Sequence, residues 1–300
     1  MRIGIFFPTV EHRPIEEMVE AFRSLADEGF ASGWLPQSSG YDALTVLAVV
    51  GSQVPSISLG TSVVPTYPRH PMMLAAQALT TNAAAGGRLR LGIGLSHRMS
   101  IEGRYGLSYD KPGRHMREYL SVLLPALHER KVEFDGDTLA GRGELTIPEP
   151  RSCPVLLAAL QPMMLALAGE RADGTITWCT GPVTLQEQIV PLITQAARRA
   201  GRSAPEVVVA LPVCVTDDES DGRRKADRQL AGYGQIPVYR AVLDREGAEG
   251  PGDVSIVGNE EGVTAQLHRL EDIGATEFVG ILCGTHQDRV RTRELLRTWA

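Results

Sequence analysis

The feature that most narrows the fold is an alternation of short, nearly continuous apolar runs with longer stretches of helical periodicity. Eight such runs stand at residues 2–7, 33–36, 57–61, 89–95, 155–159, 174–179, 206–213 and 276–282. Strands this apolar are buried on both faces, which is the condition of a parallel sheet covered by crossover helices. Between them the spacing predicts helices at about 14–28, 41–52, 70–84, 113–129, 162–172, 183–199, 219–245 in pieces, 260–273 and 286–298. In the stretch 260–273, for example, Val263, Leu267 and Leu270 fall on one face beneath charged neighbours. Eight strand–helix repeats without a linker fit one (β/α)8 TIM barrel, read as a single domain over residues 1–300. A 43% hydrophobic content is enough for its core without disulfides or metals.

Two places interrupt the alternation, and both follow a strand, where barrels carry insertions. After the fourth strand, residues 96–112 read as a polar loop, and 131–147 as a small hairpin turned at Asp135-Gly136-Asp137. After the seventh, residues 217–257 are long for one crossover and hold Gly232, Gly234, Gly247, Gly250, Pro251 and Gly252, so part of them reads as a flap.

Charge excludes several function classes. The net charge is −6 and the basic residues are scattered, whereas nucleic acid and anionic membranes require clustered Lys and Arg. Met1 leads straight into an apolar strand with no signal-peptide pattern, and no window approaches a membrane span. The expectation is a soluble, cytoplasmic protein with no nucleic-acid or membrane partner. Cys153, Cys179, Cys214 and Cys283 make no CxxC pair or ligand series, and no HxH or HExxH motif appears, so reduced thiols and no metal are expected.

A parallel barrel places its active site at the carboxyl ends of its strands. There stand Gln37-Ser38-Ser39, Thr61-Ser62-Val63-Val64-Pro65-Thr66, Gly94-Leu95-Ser96-His97-Arg98, Ala158-Ala159-Leu160-Gln161-Pro162 and Trp178-Cys179-Thr180-Gly181-Pro182. Small residues and hydroxyls suit a flat polycyclic ligand approached by backbone, with helix amino ends left for an anionic tail. Gly86-Gly87-Arg88 precedes the fourth strand and reads as a turn, since a phosphate-loop spacing is absent.

The run Leu59-Gly60-Thr61-Ser62-Val63-Val64-Pro65-Thr66-Tyr67-Pro68-Arg69-His70-Pro71 resembles the luciferase-like monooxygenase superfamily. So do Arg88-Leu89-Arg90-Leu91-Gly92-Ile93-Gly94-Leu95-Ser96-His97, Leu167-Ala168-Gly169-Glu170-Arg171-Ala172-Asp173-Gly174 and Val257-Gly258-Asn259-Glu260-Glu261. Within it the pattern is nearest the oxidoreductases that use the deazaflavin coenzyme F420. The resemblance implies a non-prolyl cis peptide at Ser62–Val63 behind the central ring. It implies ring and ribityl contacts from Thr61, Ser62, Val63, Gly94, Leu95, Ser96, Ala158, Ala159 and Leu160, with Gln37 beside them. Gln161, Thr180 and Gly181 would take the phosphate.

By the same resemblance His97 is the candidate catalytic acid or base, the alternative being a histidine that only bonds cofactor or loop backbone. The loop after the second strand departs from the family: Gln37 stands where relatives carry a titratable group, and an amide cannot trade a proton. Trp178 either stacks by the cofactor or packs, His70 caps or packs, and His12, His115, His128, His268 and His286 show no pairing pattern. The implied function is hydride transfer between F420 and a small organic substrate, by a protein that relatives suggest is a homodimer. The alternatives are an FMN-dependent monooxygenase and a non-catalytic flavin-binding barrel; a lyase would need a lysine or metal carboxylates at the strand ends, which hold no lysine.

Overall fold

The computed structural model describes residues 1–8, 13–148 and 151–299. The first half runs β1 (Arg2–Phe6), α1 (Ile15–Asp27), β2 (Ser32–Leu35), α2 (Ala43–Gln53), β3 (Ser58–Thr61), β4 (Val64–Pro65), α3 (Pro71–Ala84) and β5 (Leu89–Gly94). There follow α4 (Arg98–Tyr105), α5 (Pro112–His128), β6 (Lys131–Asp135), β7 (Ala140–Glu144), β8 (Val155–Ala158), α6 (Pro162–Arg171) and β9 (Gly174–Trp178). Next come α7 (Pro182–Thr184), a π-turn (Leu185–Ile189), α8 (Val190–Arg199) and β10 (Glu206–Val215). The chain closes with α9 (Glu219–Leu230), a 3-10 turn (Ala231–Gln235), α10 (Pro237–Glu246), β11 (Ile256–Gly258), α11 (Glu260–Ile273), β12 (Glu277–Leu282) and α12 (His286–Arg297).

The eight apolar runs are β1, β2, β3, β5, β8, β9, β10 and β12, and their parallel order with intervening helices is that of a (β/α)8 barrel. Helix boundaries follow the caps in the sequence. Asp42 and Asn259 accept backbone N–H bonds at the starts of α2 and α11, Thr285 and Asp288 form a capping box on α12, and Gly274 ends α11 at φ 114°. No described helix is long and apolar enough to cross a membrane.

The described residues divide into two compact units. The first holds 1–8, 24–34 and 159–299. In it β1 lies between β2 (Gly4↔Ser32) and β12 (Arg2↔Glu277), and β10 lies between β12 (Val209↔Phe278) and β9 (Val208↔Ile176), with β11 added at its end. At the start of these strands the fully buried Glu277 accepts bonds from Ser32 Oγ and Trp34 Nε1 and pairs with Arg2 Nε at 3.1 Å. A buried carboxylate of this kind is stable only when it is so partnered. Outside the strands, α6 approaches α8 so closely that a Cβ on Gly169 would lie 2.4 Å from the Ile193 carbonyl oxygen.

The second unit holds 13–23, 35–148 and 151–158. Here β5 lies between β3 (Leu59↔Leu89), continued by β4 (Val64↔Ile93), and β8 (Leu91↔Val155). The expected hairpin is β6 and β7, antiparallel with Lys131 opposite Glu144, and its turn spans 136–139. Glu118 of α5 holds that turn, accepting from the amides of Asp137, Thr138 and Leu139 and from Thr138 Oγ1. These bonds hold the Glu118 carboxyl below its usual range against the opposing effect of burial.

Both insertions are more ordered than their composition suggests. The supposed polar loop 96–112 contains α4, stabilised by an Arg98–Glu102 pair one turn apart, buried Ile101 and Gly106 in the left-handed C-cap position. Segment 217–257 carries α9, the 3-10 turn, α10 and β11, and Gly247 (φ 68°) terminates α10. Gly86 and Gly87 have φ 62° and 86°, the turn that their position predicts. His12 lies outside the described residues.

Replacing Glu118 with Ala leaves the amides of Asp137, Thr138 and Leu139 without their acceptor in a half-exposed turn, so unfolding free energy should fall by about 1–3 kcal/mol. Hydrogen exchange should quicken first at the amides of 137–139; unchanged exchange there would show that the carboxylate does not hold the turn.

Candidate functional site

The geometry begins where β3 breaks off against β5. Thr61 is fully buried, its Oγ1 donating to the Gly92 carbonyl at 2.8 Å and accepting the Gly92 N–H at 2.9 Å. A Cβ at Gly92 would sit 1.9 Å from the Thr61 carbonyl oxygen, so only glycine permits this approach. The next peptide, Ser62–Val63, is cis, as the resemblance implies. Ser62 N–H donates to the Leu35 carbonyl at 2.8 Å, and Val63 fills the space beside Gly94, where a Cβ would lie 2.7 Å from Val63 Cγ2 and 3.2 Å from Ala158 Cβ. Thr61, Ser62, Val63, Gly94 and Ala158 are thus brought together. The Thr61 hydroxyl is committed to β5 and acts by fixing the bulge.

Past β5, Leu95, Ser96 and His97 are half-buried. Ser96 has φ 59°, and its carbonyl accepts the Tyr109 hydroxyl at 3.1 Å. His97 is the N-cap residue of α4, its carbonyl accepting the amides of Ser100 and Ile101. Burial pushes its imidazole below its ordinary 6.5, which keeps the ring neutral at pH 7.

Sequence reasoning missed the aromatic column beneath this loop. Tyr67 stacks on His115 with centroids 3.9 Å apart and planes within 5°, and on Tyr109 at 5.1 Å. Thr66 Oγ1 bonds His115 Nε2 at 3.0 Å, and Arg98 lies 5.4 Å over Tyr109. The Tyr67 hydroxyl oxygen is buried and has no hydrogen-bond partner among the described residues, and burial pushes its pKa up to about 12. Tyr67 lies in the motif Leu59–Pro71. Its partners come from 42 and 48 residues further on, which no local pattern joins.

Gln37 is placed as a cap. Its Oε1 accepts the Ala43 amide at 2.9 Å and lies 3.4 Å from Arg69 Nη2, in a cluster where Arg69 and Gln77 both bond Asp42. His70 is the N-cap of α3, with Nδ1 accepting from Met72 N–H and Nε2 donating to the Ala140 carbonyl at 2.9 Å.

In the other unit Ala159 is buried, Leu160 is half-buried with its carbonyl accepting Gln188 Nε2 at 2.6 Å, and Gln161 is exposed at the start of α6. Gln161 makes no side-chain cap bond there, which leaves the first-turn amides of α6 without one. Thr180 Oγ1 donates to the Trp178 carbonyl at 3.0 Å, and buried Gly181 abuts Glu246, whose carboxylate a Cβ would meet at 2.5 Å. That carboxylate accepts the amides of Val183 (3.1 Å) and Thr184 (2.6 Å). The amide donors next to Thr180 and Gly181 are therefore engaged by α10, a long-range contact invisible in the sequence. Trp178 packs between Phe6 and Tyr233, at 5.2 and 5.5 Å, and its Nε1 is buried without a hydrogen-bond partner among the described residues.

The fold is that of a (β/α)8 barrel whose third strand breaks off at a bulge, and comparison with known proteins gives its family. The luciferase-like monooxygenase family matches residues 1–257, and the chain belongs to it. It is 28% identical over 308 residues to 5,10-methylenetetrahydromethanopterin reductase of Methanolobus tindarius, covering 93% of each. In structure it is similar to coenzyme F420-dependent tetrahydromethanopterin reductase of Methanopyrus kandleri, with TM-score 0.82, 22% identity and 99% and 97% of the two chains covered. The oxygenating constituent of 3,6-diketocamphane monooxygenase from Pseudomonas putida, in complex with FMN, superposes at TM-score 0.76 with 14% identity over 99% and 96%. Both structural likenesses establish the shared fold.

Burial holds His115 at a pKa of about 4, below the roughly 6.5 of an unfolded imidazole. The unfolded chain therefore takes up a proton first as pH falls, and stability present above pH 6.5 should decline down to about 4, by on the order of 3 kcal/mol. Denaturant titrations across that window should show the decline in the native protein and a flatter profile in His115→Gln.

Proposed function

We propose that the chain is an oxidoreductase that transfers a hydride between the deazaflavin coenzyme F420 and a small organic substrate. The observation that carries this reading is the seam of Thr61, Ser62, Val63, Gly92 and Gly94. There the backbone bulges and a glycine ends β5, so a flat heterocycle can rest on main chain and a half-buried valine. The orphaned Tyr67 hydroxyl also fits, since a buried phenol without a partner is stabilised when a ligand brings an acceptor. Leu95, Ser96, Ala158, Ala159 and Leu160 are assigned to the ring and ribityl chain. For the phosphate, Gln161 at the start of α6 is the favoured position, because Glu246 already engages the amides that follow Thr180 and Gly181.

When bound, a deazaflavin supplies a carbon that gives or takes a hydride. The residues of the chain do the rest. Neutral His97 can accept a proton from a substrate hydroxyl as the hydride leaves, or return it in the reverse direction. Gln37, tied to α2 and Arg69, shapes the second loop and moves no proton. By resemblance the protein works as a homodimer in the cytoplasm.

The Methanopyrus likeness supports F420, and the Pseudomonas protein, which holds FMN on the same fold, supports a second reading as an FMN-dependent monooxygenase. A non-catalytic flavin-binding barrel is the third. Fluorescence titration separates them: F420 should bind in the micromolar range or tighter and FMN more weakly. Tight FMN binding with no F420 binding reverses the order. Tyr67→Phe should weaken binding of the bound partner about tenfold if the phenol meets it. With a turned-over substrate in hand, His97→Ala should retain binding and lose at least about a hundredfold in rate. The native rate should fall only as pH drops below the usual imidazole range. Full turnover in His97→Ala removes the proton-transfer role.

A further inference from the structure

Far along the chain from the residues assigned to the cofactor, two cysteines meet. Val213 of β10 pairs with Leu282 of β12, and the ladder runs one residue further, since Cys283 N–H donates to the Val213 carbonyl at 3.1 Å. Cys214 and Cys283 are consequently cross-strand neighbours. They share one buried cluster with Ala226 of α9 and Val257 of β11, where the Cys283 thiol donates to the carbonyl of Val213, the residue before Cys214, at 3.4 Å. A Cβ built on Gly284 would lie 2.7 Å from Cys214 Sγ, so glycine after Cys283 leaves that sulfur its space. Adjacent strands stand roughly 4.8 Å apart, inside the roughly 4.4–6.8 Å between Cα atoms that a disulfide spans.

We infer that Cys214 and Cys283 form a dithiol site that a two-electron oxidant of the peroxide class converts to a disulfide, joining the ends of β10 and β12. Cys214 is the attacking sulfur. The adjacent Cys283 thiol eases its ionisation most and Lys225 of α9 assists, while burial, Asp288 of α12 and Asp221 of α9 oppose. Cys283 is correspondingly harder to ionise, its thiol held up by Cys214, by burial and by Asp288, with Arg289 opposing. The Cys214 thiolate attacks the peroxide O–O bond, giving a sulfenic acid while the departing hydroxide takes a proton to become water. The Cys283 thiol then attacks the sulfenic sulfur, the S–S bond forms and a second water leaves. In sum two thiols and one hydrogen peroxide give one disulfide and two waters, with each sulfur losing one electron.

Both sulfurs are buried, so the oxidant enters by opening of α9, the polar helix whose Ala226 covers them. Cys153 and Cys179, also buried and outside any disulfide among the described residues, lie outside this cluster and serve as internal clocks for global unfolding.

The test uses the purified full chain, hydrogen peroxide, alkylation of remaining thiols and non-reducing peptide mapping. The expected result is a linked Cys214–Cys283 peptide and the loss of two hydrogens in mass, while Cys153 and Cys179 still alkylate. Cys283→Ser, or Cys283→Ala should serine not fold, should give no linked peptide and leave Cys214 carrying oxygen. No linked peptide in the native chain, or loss of all four thiols at one rate, overturns the proposal.

Discussion

A missing methyl group fixes the part of the second unit on which the proposed chemistry depends. Gly92 allows β5 to come within contact of the Thr61 carbonyl, and the Thr61 hydroxyl closes two hydrogen bonds to the same glycine. With β3 pinned there, the chain bulges at Ser62–Val63, and Val63 takes the place beside Gly94 that a side chain would otherwise occupy. The wall at the end of these strands is thus backbone and small residues, and the loop that follows β5 inherits its direction from it.

A second layer makes that loop definite. Tyr109 holds the Ser96 carbonyl, Tyr67 and His115 stack beneath, and His115 is oriented by Thr66, which lies just beyond the bulge. The desolvation that accompanies this packing keeps both His97 and His115 neutral at pH 7, and keeps Tyr67 protonated. Packing and proton state therefore have one cause. In the first unit an analogous economy appears at Glu246, whose carboxylate satisfies the amides of Val183 and Thr184, while the first turn of α6 has no side-chain cap.

The family supplies context for these features. Proteins of the same fold include a reductase described as F420-dependent and a monooxygenase constituent in complex with FMN, so the barrel by itself does not separate the two cofactors. In the proposed function that choice falls to the residues at the strand ends, which in this chain include His97 but no acid at Gln37.

What the sequence alone determined is what periodicity and local chemistry encode. Eight apolar runs became the eight barrel strands, Gly86 and Gly87 turned where they should, Asp42, Asn259 and Thr285 started their helices, and the cis peptide fell where the motif resemblance set it. Local signals for α4 were present in Arg98, Glu102 and Gly106, but Gly103 and the polar composition concealed them. Tertiary structure alone decided what depends on side chains distant in sequence: Glu118 on the 137–139 turn, His115 beneath Tyr67, Glu246 at Val183 and Cys214 beside Cys283. Each of these is a contact whose partners lie tens of residues apart, and a period of two or 3.6 residues carries no record of such a meeting.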